Sequence, residues 1–132
     1  MLKRFALLLF LAVPLFAEDD PMARYLVPPD LIMAHSQQLN LLDKQRAAIK
    51  AEVQKAQSKF IDLQWDMKEE SEKMVKLLQQ TPADEARILE QADKVMALER
   101  EIKKTQLALL IRIRNALTAE QIAKLEEIRR KN

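Results

Sequence analysis

The stretch "LTAEQI", residues 117–122, decides how the rest of the chain is read. Thr118 is placed to cap a helix by accepting a hydrogen bond from the amide of Gln121, while the Gln121 side chain reaches back to the amide of Thr118. That reciprocal pair is a capping box, and Leu117 before it and Ile122 after it are spaced to touch as a hydrophobic staple. The segment is therefore a corner made without glycine, and it starts a final helix over about 119–131. A weaker echo stands near position 41, "LLDKQ": Leu41 and Gln45 match, but Leu42 occupies the place of the capping threonine. Leucine has no acceptor, so the cap is expected to pass to Asp43 or the corner to be less well fastened.

Between the two corners the apolar spacing is that of long rods. From Asp43 to about Gln80 there is no proline, and Ile49, Val53, Ala56, Phe60, Leu63, Met67, Met74 and Leu77 recur at alternating steps of four and three. Glu70 fills the one slot that breaks the series. This heptad-type seam predicts a straight helix of roughly 57 Å at 1.5 Å per residue. Thr81-Pro82-Ala83-Asp84 restarts the chain, with Thr81 a candidate cap and Pro82 suited to a first helical position. A second long helix is expected over about 82–114, with Ile88, Ala92, Val95, Ile102, Leu109 and Ile113 on one stripe. The join at 80–82 is so short that the two helices must run antiparallel, as a hairpin. A short helix over Asp30–Leu39 precedes the first corner, and Pro21, Pro28 and Pro29 mark residues 18–29 as an extended, mobile lead-in. The fold class is all-α: a long antiparallel helical hairpin with short flanking helices.

Composition narrows the chemistry. The 132 residues contain no glycine and no cysteine. Glycine-rich phosphate loops, tight hairpins of strands and disulfide frameworks are all excluded. Met1-Leu2-Lys3-Arg4, the apolar run Phe5–Phe16 and the small Ala17 read as a secretory signal over residues 1–17, with an uncleaved anchor as the alternative. The mature chain is then expected outside the cytoplasm. Its formal charge falls from +2 to zero once Lys3 and Arg4 are removed, so no nucleic-acid footprint is expected. Arg129-Arg130-Lys131 is the one tight basic cluster, and it closes a helix, where cations complement the dipole. With one histidine and no serine or carboxylate set beside a plausible base, no enzymatic activity is expected.

The paired motifs Leu41…Gln45 and Leu117-Thr118…Gln121, in an exported, cysteine-free helical chain, resemble the Spy/CpxP family of periplasmic proteins. The likeness covers roughly residues 30–130 of a helical domain placed at 30–132, and "PPDLIMAH" before the first motif is similar to members labelled heavy-metal sensors or resistance proteins. The resemblance implies a periplasmic protein that binds unfolded or stressed proteins without ATP. The alternative it implies is a metal sensor or resistance protein signalling to a membrane partner. Relatives that sense nickel or cobalt use several histidines. Here His35 is the sole imidazole, Leu39 stands one turn on, and no cofactor beyond an unidentified metal ion is expected. Ile61 and Trp65, one turn apart and offset from the seam, and Leu107, Leu110 and Ile111 in the all-round apolar "LALLIRI" are the candidates for a client or dimer surface. Two long helices give a thin core, so pairing of two hairpins into a cradle-like homodimer is expected.

Overall fold

A computed structural model describes residues 20–132, and the residues read as a signal lie outside the described part. The described chain is all-helical. A single 3₁₀ turn, Ala23–Tyr25, leads into helix α1 (Pro29–Ala34), followed by α2 (Asp43–Leu78), α3 (Glu85–Asn115) and α4 (Ala119–Lys131). The two long helices pack antiparallel, and the short elements gather at one end of the hairpin, which is its base. Among the described residues no helix is long and apolar enough to cross a membrane.

The corners form largely as their residue types dictate. Thr118 has extended backbone angles, its hydroxyl accepts from the Gln121 backbone amide at 3.2 Å, and the Gln121 side-chain oxygen Oε1 accepts from the Thr118 backbone amide at 2.9 Å. Leu117 is buried and Ile122 packs against the same core. At the first corner Leu42 itself is the N-cap, not Asp43. Asp43 is the first helical residue and turns to Arg46, 2.8 Å away, so it adds charge at the helix start without capping it. Only half of a box is made there, by the Gln45 side chain accepting from the Leu42 amide at 3.0 Å.

Other boundaries differ from the sequence expectation for physical reasons. α2 ends at Leu78, short of Gln80. Thr81 and Pro82 belong to the turn, and α3 starts at Glu85 because Asp84 supplies the cap, its carboxylate accepting from the Arg87 amide at 3.2 Å. α1 stops at Ala34, earlier than Leu39, and residues 35–40 are turns that end at Asn40, whose φ of 50° lies in the left-handed region. In a chain without glycine, asparagine is the residue that takes that conformation at least cost.

The lead-in is docked rather than loose. The Arg129 guanidinium donates to the carbonyls of Arg24 at 3.1 Å and Leu26 at 2.9 Å, and Arg114 donates to that of Tyr25 at 2.8 Å. Part of the terminal basic cluster thus serves as a clamp on the N-terminal segment, beyond its place near the end of the helix dipole. Burial pushes the Arg129 guanidinium below its usual range. Val27 and Ile32 then enter the core beside Leu39, Leu41, Ile49, Ala56, Phe60, Leu109, Ile113, Leu117 and Leu125.

Candidate functional site

The two motif glutamines meet at the base. Gln45 Nε2 donates to Gln121 Oε1 at 2.7 Å, and Gln121 Nε2 donates to Gln45 Oε1 at 3.0 Å. Each amide also reaches the other's segment, Gln45 to the Ala116 carbonyl at 3.0 Å and Gln121 to the Leu39 carbonyl at 3.1 Å. With the capping bonds added, both side chains are satisfied by protein partners, which is what a part-buried amide requires. Leu41, Gln45, Leu117, Thr118 and Gln121 therefore form one structural joint between the start of α2 and the start of α4. It is a fastening, with the amides of both glutamines spent on protein partners.

The apolar candidates separate. Trp65 is 66% exposed and Ile61 40% exposed, and 3.6 residues per turn put both on the side of α2 turned away from α3. Lys68 Nζ stands 5.5 Å from the centre of the Trp65 ring. Ile111 is exposed on α3, but Leu107 and Leu110 are half-buried, so "LALLIRI" is not open all round. Its inner members Leu109 and Ile113 are core. The antiparallel register is fixed by Glu70 opposite Gln91 and Lys59 opposite Glu101, which places Trp65 level with Met96 and Ile111 nearer the base. Ile61 with Trp65 and the Ile111 region are thus two surfaces, not one. Val75, Leu78, Leu89 and Met96 are further exposed apolar side chains on the distal half of the hairpin. The sequence carried a signal for Leu89 and Met96, which widen the α3 stripe, but none that told them from core.

Polar groups between the long helices were harder to foresee. Gln91 is buried, and its Nε2 donates to the Glu70 backbone carbonyl at 2.9 Å and to Glu70 Oε2 at 2.6 Å. The hydrogen bonds from Lys73 and Gln91 hold the Glu70 carboxyl below the usual carboxylate range. The same contact with Glu70 raises Lys73. Nearer the base, Ala56, Thr105 and Ala108 leave an open groove between α2 and α3, rimmed by Lys55, Lys59, Lys104, Arg112, Glu52, Asp62 and Glu101. Lys59 bonds Glu101 at 2.6 Å and Arg112 lies 3.5 Å from Glu52, so the rim is largely self-neutralised.

Among the described residues the possible soft donors stand apart. His35 is half-buried, with Nδ1 3.1 Å from Gln38 Oε1, and Met33 projects into solvent. Among the described residues no group of three or more His, Cys, Asp or Glu side chains is placed to hold a metal. Soft and borderline ions need several such donors to converge.

Comparison with known proteins gives one family. The model of a family described as heavy-metal resistance matches residues 5–124. No curated protein and no solved structure matches the chain.

Proposed function

Because this chain belongs to the heavy-metal resistance family, within the Spy/CpxP-like helical group, we propose that it serves resistance in the periplasm by holding proteins, without catalysis. Its partners on this reading are non-native polypeptides of the metal-stressed cell, held without ATP. The observation that carries the reading is the exposed pair Ile61 and Trp65 on the outer side of α2. An aromatic of that size left in water on a rigid helix, flanked by Lys68, Glu69 and Glu72, has the character of a weak, reversible apolar contact ringed by charge. The proposal includes a cradle-like homodimer through α3 at Leu107, Leu110 and Ile111, which leaves Ile61 and Trp65 free on the other helix. Ile111→Glu should then shift the sedimenting species from dimer to monomer.

The purified mature chain should suppress aggregation of a chemically denatured test protein at near-stoichiometric ratio. Trp65→Ala should weaken that suppression with helical content unchanged. Failure of the unaltered chain to suppress aggregation even in large molar excess would overturn the reading.

The family description favours a second reading, a metal-responsive reporter to a membrane partner with His35 as a ligand completed from another copy. Calorimetric titration of zinc, copper, nickel and cobalt into the chain and into His35→Ala separates the two. Micromolar binding that the substitution abolishes supports the reporter; heats indistinguishable from dilution in both remove it.

A further inference from the structure

Burial is uneven along the hairpin. The buried apolar residues of α2 in the core cluster are Ile49, Ala56 and Phe60, and those of α3 are Leu109 and Ile113, all towards the base. Beyond Leu63 the seam residues Met67, Met74, Leu77, Ile88, Val95 and Leu98 are only half covered, and Val75, Leu78, Leu89 and Met96 are open to water. The one residue buried in this distal half is polar. Gln91 sits where an apolar layer would otherwise continue the heptad, bonded to Glu70, whose other carboxylate oxygen takes Lys73 at 2.9 Å. The base, by contrast, is bound by α1, α4, the docked lead-in and the Gln45–Gln121 pair.

We infer that the distal hairpin, from Gln64 round the turn to Leu98, is a separate cooperative unit that opens and recloses while the base stays shut, with the Glu70–Gln91 contact as its latch. Opening the base would bring Ile32, Leu109, Ile113 and Leu125, the most deeply buried side chains, into water. Opening the distal half re-exposes groups that are already partly wet and breaks one polar contact whose members water can satisfy. The groups facing Glu70 are Lys73 and Glu69 on its own helix and Gln91 and Lys94 on α3, so the latch is held by both helices. Opening uncovers Met67, Met74 and Leu77 of α2 together with Ile88 and Val95 of α3. Use of that surface by a non-native polypeptide rests on the proposed function; the opening itself does not.

Amide hydrogen exchange read by residue tests the inference on the mature chain. Amides of residues 66–96 should exchange at least about tenfold faster than those of 49–60 and 105–113. Glu70→Leu combined with Gln91→Leu replaces the latch by an apolar layer, and should slow distal exchange while the base is unchanged. Gln91→Ala should speed distal exchange alone. Equal protection along the whole hairpin of the unaltered chain, or a leucine pair that shifts both halves by the same factor, would overturn it.

Discussion

Gln45 and Gln121 lie 76 positions apart and hydrogen-bond each other twice, as donor and acceptor in turn. Each also fastens its own corner, so a single residue type carries local and long-range order at once. Replacing either by alanine leaves the other's amide short of partners in a part-buried place, at a cost of about 1–3 kcal/mol. The double replacement should cost less than the two single losses combined, because the stranded amide is removed with its partner. Urea unfolding of the four proteins measures that coupling.

Leu42→Thr should stabilise the protein. Leu42 has φ −73° and ψ 152°, close to the −80° and 162° of the capping Thr118, and its side chain is 66% exposed. A threonine there can accept from the Gln45 amide and complete the box at little loss of packing. The gain is about 1 kcal/mol, read as a rise in the thermal midpoint.

Glu70 should titrate below the ordinary value of 4.5, because Lys73 and Gln91 both donate to its ionised form. A depressed folded-state value means that its contribution to stability is fully present above the unfolded-state value. That contribution is lost as pH falls through the lowered folded-state value. Protonation of Glu70 should therefore loosen the distal hairpin. Carboxyl resonances followed through a pH titration give the midpoint, and Gln91→Ala should move it upward.

Trp65 is the sole tryptophan and reports its own surroundings. Exposed as it is, it should emit at long wavelength and be readily quenched by acrylamide. Addition of a reduced, alkylated polypeptide should shift the emission to shorter wavelength and protect it. No change in either quantity at saturating polypeptide would place the binding surface elsewhere.

Arg129→Ala should loosen the N-terminal segment, since that guanidinium donates to the carbonyls of both Arg24 and Leu26, leaving Arg114 on Tyr25 and the buried Val27 to hold it. Limited trypsin digestion should cut after Arg24 sooner in the variant, with the hairpin helices intact.

The rods and corners were legible because their signals are local. The alternating steps through Ile49, Phe60 and Leu63 fix a helix and its inner face, and the Leu117–Ile122 pattern fixes the corner. The slot broken by Glu70 was visible too. Its partner Gln91 was not, since which α3 residue faces Glu70 depends on the turn at 79–84, where Asp84 displaced Thr81 as the cap. The glutamine at the same place in both motifs was a signal for the Gln45–Gln121 joint, yet nothing local brings residues so far apart together. For the candidate surface, the offset of Ile61 and Trp65 from the seam set them apart from the core, while the apolar run "LALLIRI" carried nothing to tell the half-buried Leu107 and Leu110 from the exposed Ile111. The docked lead-in and α4 add neighbours at the base that a two-rod picture lacks.

Asn40 is the lone non-helical kink of its kind among the described residues, with φ positive and no glycine anywhere to share the work. A backbone so poor in swivel points has little freedom to flap its loops. In such a backbone, lengths of helix melting and re-forming are the ready source of movement.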